Sequence, residues 1–235
     1  MADILLVNQF IINTSKDQMT DTIIIGAGGH SAEIDDYIKR NQELTGIKQY
    51  NVVGFLDDNS DNYNRYRFSA PLLGTVKDHK VNQNVNYIIG IAGIKYRRTI
   101  VEKFQAMGGK FATLIHWTAY ISDSGYTGEG SVIGPNASIG PNVIVGNFAL
   151  INARCSLGHD TVVGAFSILS PNVCLSGFTS VGDENLFGIN SATIPGIKIG
   201  NRNMIAAGMI IDKNVDDDTV VFHRYKEKII AVPKG

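Results

Sequence analysis

The spacing of hydrophobic residues changes once along the chain, near residue 115. Before that point, short apolar runs alternate with amphipathic stretches, which is the pattern of β-strands followed by α-helices. After it, an aliphatic residue recurs at every sixth position. The chain is therefore predicted to contain two domains of different architecture, over residues 21–114 and 115–220.

The first of these parts contains a repeated strand–helix pattern. The segment "TIIIGAGGHSAEIDDYIKRNQ" predicts a strand, a glycine-rich turn and a helix whose apolar side includes Ile34 and Ile38. A second strand follows in "YNVVGFLDDN", and "NYIIGIAGIKYRRTIVEKFQAMG" predicts a third strand and a second helix. Alternation of this kind predicts a parallel sheet covered by helices. The Tyr96–Arg98 segment at the start of the second helix is expected at the surface.

The second part contains sixteen consecutive hexads without an insertion. Fourteen of the sixteen first positions are apolar, and a glycine follows the first position in nine hexads. This is the signature of a parallel β-helix, in which three hexads form one coil of 18 residues. We expect the first residue to point inward and the glycine to relax the backbone at the corner. The first positions are Ile121, Thr127, Ile133, Ile139, Val145, Ile151, Leu157, Val163, Leu169, Leu175, Val181, Phe187, Thr193, Ile199, Ile205 and Ile211.

One corner of the repeat carries the titratable pair His159-Asp160. Residues 18 apart stack on neighbouring coils, about 4.8 Å apart, so Gly177 is predicted to lie beside His159. A histidine next to an unhindered backbone N–H suits a general base with an oxyanion donor. The same residues also fit a solvent-exposed corner histidine beside a turn-forming aspartate. The residues alone leave both interpretations open.

Charge and composition narrow the classes of partner. A net charge of −1 without a basic cluster argues against nucleic acid as a main partner. No apolar run is long enough for a membrane span, and the N-terminus has no basic region typical of a signal peptide. Two cysteines, Cys155 and Cys174, favour a reducing cytoplasm over a disulfide framework. Residues 1–20 are interpreted as an N-terminal extension and 221–235 as a C-terminal tail.

The order of motifs resembles one protein family. An N-terminal "IIIGAGGHSAEI" domain, then "FLDDN", "PLLGTV" and "LIHWTAYIS", precede hexads containing "INARCSLGHDTVVG" and "LSGFTSVGDENLFGINSATIPGIKIG". This combination is similar to the bacterial sugar acetyltransferases of the PglD/NeuD type over residues 21–220. The resemblance implies a Rossmann-like domain, a left-handed β-helix, a homotrimer with active sites between subunits, and acetyl-CoA as co-substrate. It also implies no metal.

The resemblance assigns roles to matching residues of this sequence. His159 matches the general base, Asp160 its acidic neighbour, and Gly177 the glycine whose N–H contacts the acetyl carbonyl. The acetyl-CoA groove would be contacted by Asn152, Ile189, Ala207 and Gly208. The nucleotide-sugar would be contacted by three segments: Gly26, Gly28, Gly29 and His30 in the first; Asp57 and Asp58 in the second; and Ile91, Ala92 and Gly93 in the third.

Three positions depart from the family's pattern. Trp117 replaces a proline after the "LIH" histidine, and Ile168 stands where some members have a second histidine. The segment "VFHRYKEKI", residues 221–229, replaces a "GNPAK"-like segment near the coenzyme. Acetyl remains the expected acyl group.

Several functions compete at this stage. The leading hypothesis is N-acetylation of a UDP-, dTDP- or GDP-linked 4-amino-4,6-dideoxy sugar for surface glycan biosynthesis, such as O-antigen or capsule. O-acetylation of a sialic acid or another glycan hydroxyl is the second, and a non-catalytic trimeric scaffold is the third. NAD binding is disfavoured because Ser31 stands where the third glycine of GxGxxG is required. A zinc site is disfavoured because the repeats contain only one histidine, His159.

Overall fold

The structure is a computed structural model that describes residues 19–222. The first domain contains five strands and three helices, which include the predicted strands and helices and add a short helix and a short strand between residues 60 and 74. Its elements are β1 (Thr20–Ile25), α1 (Gly29–Thr45), β2 (Tyr50–Leu56), α2 (Ser60–Asn64), β3 (Leu72–Gly74), β4 (Asn86–Ile89), α3 (Ile94–Ala106) and β5 (Lys110–Phe111). The strands form one parallel sheet in the order β3-β2-β1-β4-β5.

Local sequence explains which side of α1 is buried and where the helix ends. Ile34 and Ile38, spaced by one turn, are buried on its inner side, as predicted. Gly46 ends the helix in the left-handed conformation (φ 71°) and donates its N–H to the Gln42 carbonyl. A glycine adopts this conformation without the steric cost that a Cβ atom imposes.

The second domain is a triangular β-helix of two-residue strands on three faces. The first face contains β7 (Tyr120–Ile121), β10 (Ser138–Ile139), β13 (Ser156–Leu157), β16 (Cys174–Leu175), β19 (Ala192–Thr193) and β22 (Ile210–Ile211). The second contains β8 (Tyr126–Thr127), β11 (Ile144–Val145), β14 (Val162–Val163), β17 (Ser180–Val181) and β20 (Lys198–Ile199). The third contains β6 (Leu114–Ile115), β9 (Val132–Ile133), β12 (Leu150–Ile151), β15 (Ile168–Leu169), β18 (Leu186–Phe187), β21 (Met204–Ile205) and β23 (Val220–Val221).

The turns between faces form three edges along the β-helix. The histidine edge joins the first face to the second and includes 140–143, 158–161 and 176–179. The domain edge joins the second face to the third and includes 128–131, 146–149 and 164–167. The asparagine edge joins the third face to the first and includes 152–155, 188–191 and 206–209.

The predicted register of 18 residues is confirmed by the strand pairing as far as β22, and the final pair, Met204 with Val220, is 16 residues apart. Leu157 pairs with Leu175, and Val145 pairs with Val163. All fourteen apolar first-position residues belong to one buried cluster inside the β-helix. Thr193, a polar exception, is also buried, and its hydroxyl lies 2.8 Å from that of Thr179. Burial of this stack of side chains is the main apolar contribution to the domain's stability.

The expectation that the second-position glycines relax the backbone at the corners is wrong. The left-handed conformation occurs instead at the fourth position, where non-glycine residues such as Asn142, Asp160 and Phe178 have φ near 60°. The second-position glycines are needed for close packing between coils. A Cβ atom at Gly146 would lie only 2.6 Å from the Ala165 backbone nitrogen.

The two domains share buried side chains. Outward-pointing residues of the third face, Leu114, Val132, Leu150 and Ile168, belong to the same apolar cluster as Ile24 and Ile34 of the first domain. Because β6 begins at Leu114, this strand straddles the predicted boundary between residues 114 and 115.

The expectation that Tyr96–Arg98 lies at the surface is wrong for Arg97. Its guanidinium is fully buried and donates from Nη1 to the Ile91 carbonyl (2.6 Å) and from Nη2 to the Phe148 carbonyl (2.9 Å). Burial lowers the pKa of Arg97 to about 10. Arg97 therefore links a loop of the first domain directly to the domain edge.

Candidate active site

The His159-Asp160 pair lies on the histidine edge, in the turn that follows β13. The imidazole side chain is 56% exposed, while Leu157 beside it points into the core. Asp160 has a left-handed backbone (φ 59°), and its N–H donates to the Pro141 carbonyl on the preceding coil. The repeat thus fixes the backbone of the turn and presents the imidazole to solvent.

The carboxylate of Asp160 contacts the histidine ring, which adjacency in sequence alone does not guarantee. His159 Nδ1 lies 2.8 Å from Asp160 Oδ2, and Asn142 Nδ2 donates to Asp160 Oδ1 at 3.0 Å. The hydrogen bond with His159, and then that with Asn142, lowers the pKa of the Asp160 carboxyl. An ionised carboxylate at this place favours the tautomer with hydrogen on Nδ1, which leaves Nε2 free to accept a proton.

Gly177 lies against the same ring from the next coil. A Cβ atom there would be 2.8 Å from His159 Nε2, so a side chain at this position would displace the imidazole. Within residues 19–222, the Gly177 N–H makes no hydrogen bond. At corresponding turns of the domain edge, a side chain accepts this bond, as Asp183 does from the Ala165 N–H (2.8 Å). The ring of Phe178 meets His159 edge-on, with centroids 4.9 Å apart.

The arrangement can therefore accept a proton and stabilise a negative charge at one place. Nε2 is the acceptor, Asp160 stabilises the imidazolium that results, and an unused backbone N–H lies on the neighbouring coil. All three candidate catalytic residues of the sequence analysis are brought together here. Their catalytic roles stay predictions.

The glycine-rich loop and the "IAG" loop meet at the carboxyl end of the first domain's sheet. Strand β1 lies between β2 and β4, so the chain leaves β1 and β4 in opposite directions along the sheet. A Cβ atom at Gly26 would lie 3.0 Å from Ile91 Cγ1, which shows how closely the two loops approach. In open α/β sheets, ligands bind at such a switch point.

Two helices begin at this switch point without a side-chain cap. Gly28 precedes α1 and Gly93 precedes α3, and neither can supply a capping side chain. Their first backbone N–H groups therefore remain available to an anion. Ala92 lies in the same loop as Gly93, and Gly29 is the first residue of α1.

The two aspartates after β2, Asp57 and Asp58, accept hydrogen bonds from different segments. Asp57 Oδ2 accepts from the Ala27 N–H at 2.7 Å and so orders the glycine-rich loop. Asp58 accepts from the Lys77 N–H at 3.1 Å, toward the segment after β3. His30 has only 9% of its side chain exposed, with Nδ1 3.1 Å from Glu33 Oε2. Its Nε2 has no hydrogen-bond partner in the part of the chain that the structure describes.

The predicted acetyl-CoA residues lie on a different edge from His159. Asn152, Ile189, Ala207 and Gly208 all belong to the asparagine edge, on the other side of the first face. The side chain of Ile189 is exposed, and its carbonyl accepts from the Gly208 N–H at 2.9 Å. Asn152 Oδ1 accepts from the adjacent Ala153 N–H. One chain therefore does not bring these residues to the imidazole.

Some positions singled out in the sequence lie elsewhere. Ile168 is buried between the domains, and Trp117 is partly exposed beside α1. The "VFHRYKEKI" segment beyond Phe222 and the extension before Met19 lie outside the described residues. Between residues 19 and 222, no group of acidic, histidine and cysteine side chains could hold a metal ion. No helix of that range is long and apolar enough to cross a membrane.

Sequence reasoning missed two structural features near the candidate sites. Asn142 is part of the hydrogen-bonded chain to His159, and its position 18 residues before Asp160 was the available signal. The fixed position of Arg97 had no signal in the sequence, because an arginine at the start of a helix is ordinarily exposed.

Comparison with known proteins supports the resemblance. The profile of the PglD N-terminal domain matches residues 21–104. A UDP-N-acetylbacillosamine N-acetyltransferase of Bacillus subtilis is 26% identical over 117 residues, which is 49% of this chain and 51% of that enzyme. The chain therefore aligns with about half the length of this relative.

Two solved structures have the same architecture. The acetyltransferase domain of PglB from Neisseria gonorrhoeae, in complex with acetyl coenzyme A, is 25% identical with a TM-score of 0.77, covering 86% of this chain and 96% of that one. A perosamine N-acetyltransferase from Caulobacter crescentus, in complex with CoA and GDP-perosamine, is 23% identical with a TM-score of 0.73, covering 86% and 93%. The predicted fold, an α/β domain followed by a left-handed parallel β-helix, is confirmed. The chain is thus similar to bacterial sugar acetyltransferases of the PglD/NeuD type, and its residues 21–104 match the PglD N-terminal domain.

Proposed function

We propose that this protein is an acetyl-CoA-dependent N-acetyltransferase that acts on the amino group of a nucleotide-linked amino-dideoxy sugar. The observation that carries the proposal is the His159 imidazole held between the Asp160 carboxylate and Gly177. This arrangement supplies a base and an oxyanion donor for acyl transfer. A scaffold without catalytic function would not require an unhindered imidazole at this turn.

The reaction follows from the geometry. The sugar amine attacks the carbonyl carbon of the acetyl thioester, while His159 Nε2 takes the proton that the nitrogen loses. The oxyanion that forms is stabilised by the Gly177 N–H, and Asp160 stabilises the imidazolium. The tetrahedral intermediate then collapses with cleavage of the carbon–sulfur bond. The proton on His159 passes to the departing thiolate, which leaves as CoA.

The first domain is the proposed site of the nucleotide. Two uncapped helix N-termini, at Gly28 and Gly93, face the switch point where the loops of Gly26 and Ile91 meet. Backbone N–H groups in this arrangement suit the phosphates of a nucleoside diphosphate. His30 Nε2, which is buried and has no hydrogen-bond partner within residues 19–222, offers one further polar contact.

A homotrimer completes the proposed site. The histidine edge and the asparagine edge are separated by a face of the β-helix, so a second copy would bring its own edge into contact with the first. Apolar side chains exposed along these edges, including Ile189 and Ile194, support such a contact. Acetyl-CoA would lie in the groove between the copies. Acetyl-CoA and two free cysteines favour a cytoplasmic location.

The proposal is tested with acetyl-CoA and a panel of UDP-, dTDP- and GDP-linked amino-dideoxy sugars. Mass spectrometry should find one acetyl group on the amino sugar and none on the matching hydroxy sugar. The variant His159→Ala should be slower by roughly 10²–10⁴, the usual contribution of a general base. Near wild-type turnover in the folded variant would contradict the assignment, and acetylation of the hydroxy sugar would show O-acetyl transfer instead.

A further inference from the structure

We propose that Asn142 is a positioning residue for this reaction, because its amide orients the Asp160 carboxylate that contacts His159. The inference rests on the proposed function. Asn142 lies 18 residues before Asp160, one coil earlier on the histidine edge, and donates from Nδ2 to Asp160 Oδ1 at 3.0 Å. The three side chains thus form a continuous chain that ends at the imidazole.

The two oxygens of Asp160 have different partners. Oδ2 lies 2.8 Å from His159 Nδ1, while Oδ1 accepts from Asn142. With the Asn142 bond, the carboxylate is held at both oxygens and its plane is fixed. Without that bond, an exposed carboxylate can rotate and exchange the His159 contact for water. Hydrogen bonds in series to an ionised group also strengthen one another.

The backbone keeps Asn142 in place independently of Asp160. It has a left-handed conformation (φ 57°), and its N–H donates to Ser124 Oγ at 3.0 Å. Asparagine tolerates this conformation better than most residues. The donor is therefore preorganised before a substrate arrives.

A similar chain on the asparagine edge shows what a purely structural version looks like. Arg154 Nε donates to Asn172 Oδ1 at 2.7 Å, and Asn172 Nδ2 donates to Asn190 Oδ1 at 2.9 Å. On that edge, one fourth-position side chain simply contacts the next. On the histidine edge, the fourth-position residue one coil after Asp160 is Phe178, which cannot continue the series of hydrogen bonds. The second oxygen of Asp160 therefore contacts His159. Asn172 (φ 62°) is consequently a matched control for the effect of Asn142→Gly on stability.

The charged surroundings of Asp160 are simple. Within residues 19–222, His159 is the one titratable side chain in contact with it, and the fourth-position neighbours Asn142 and Phe178 are uncharged. A second carboxylate placed at position 142 would therefore meet Asp160 directly. The two carboxylates would share a proton as the pH falls, and the shared proton would restore a donor.

The test uses Asn142→Gly and Asn142→Asp, with Asn172→Gly as the control. Glycine removes the amide without strain in the left-handed conformation. We expect Asn142→Gly to lower kcat/KM about tenfold, the factor that corresponds to losing a hydrogen bond to a charged group. The melting temperature of Asn142→Gly should match that of Asn172→Gly, and its affinity for CoA should match that of the wild type.

The isosteric variant supplies a readout that a structural role would not produce. Asn142→Asp should be slower than Asn142→Gly at neutral pH and should recover toward wild type as the pH is lowered. The ratio of the kcat/KM of Asn142→Gly to the kcat/KM of the wild type should stay nearly constant with pH. A kcat/KM of Asn142→Gly equal to that of the wild type would overturn this inference, as would no recovery of the kcat/KM of Asn142→Asp in acid. Inactivity of the wild type toward every amino sugar would instead contradict the proposed function.

Discussion

The histidine edge and the domain edge are built by the same repeat, yet only one of them is available for chemistry. Both place left-handed residues at fourth positions of the hexads, with nearly equal φ at Phe178 (60°) and Phe148 (58°). Phe178 is 60% exposed, whereas Phe148 is 3% exposed and packs against Phe111 and Phe166. The backbone conformation of the two edges is thus the same at these positions, but the first domain covers only the domain edge.

The difference shows how a repeat acquires a site. On the domain edge, contacts with the first domain include the Arg98 Nε–Glu184 Oε1 ion pair (2.6 Å) and the bond from Arg97 to Phe148. On the histidine edge, the fourth positions hold Asn142 and Asp160, whose polar atoms face outward. The repeat supplies rigidity to both, and an uncovered edge with polar fourth positions holds an imidazole in a fixed orientation.

The largest expected effect is a difference in the free energy of unfolding between alanine variants of two phenylalanines at equivalent positions. Phe148→Ala removes a buried aromatic side chain and should lower the free energy of unfolding by about 3 kcal/mol. Phe178→Ala should change it by less than about 0.5 kcal/mol, because that ring is mostly exposed. Both variants impose the same change on a left-handed residue, so urea denaturation compares burial alone. Equal losses would mean that the two edges are not covered differently.

Substitution of Gly177 on the histidine edge and of Gly146 on the domain edge should affect different properties, namely activity and stability. A methyl group at Gly177 would meet the His159 ring, a side chain that can move, while one at Gly146 would meet the backbone of the next coil. Gly177→Ala should therefore retain its melting temperature and lose roughly tenfold in kcat/KM through displacement of the base. Gly146→Ala should instead lose roughly 1–3 kcal/mol of stability, as overpacking does. A strongly destabilised Gly177→Ala protein would contradict this distinction.

Much of the fold was predictable because the repeat is a one-dimensional rule. Period six identified the fourteen inward apolar residues, and the 18-residue coil placed Gly177 beside His159. The strand–helix alternation identified the parallel sheet of the first domain. These predictions depend on backbone periodicity, which the sequence expresses directly.

The remainder depends on contacts between elements that no local pattern encodes. The burial of Arg97 follows from the docking of α3 on the domain edge, and the contact of Asp160 with His159 follows from a left-handed backbone at a non-glycine residue. The role of the second-position glycines was misjudged because a glycine can serve conformation or close approach. Only the neighbouring coil distinguishes the two.

The smallest effect concerns the contribution of Asp160 to stability. Its pKa is lowered in the folded protein, chiefly by the hydrogen bond with His159 and next by that with Asn142. A lowered pKa means that the ionised form is favoured by folding, so the contribution is present above the ordinary carboxyl value of 3.8 and is lost as the pH falls through the lower folded value. The wild type should therefore be slightly more stable than Asp160→Asn at neutral pH, and the difference should shrink in acid.

The domain edge provides the control for this measurement. Glu184 forms an ion pair with Arg98 on that edge, so Glu184→Gln removes a carboxylate contact that does not involve a histidine. Thermal melts of both variants and the wild type, from neutral pH to below the ordinary carboxyl value, compare the two edges under the same conditions. A difference between wild type and Asp160→Asn that grows as the pH falls would contradict the sign. It would mean that the protonated carboxyl, and not the carboxylate, is the form that folding favours beside His159.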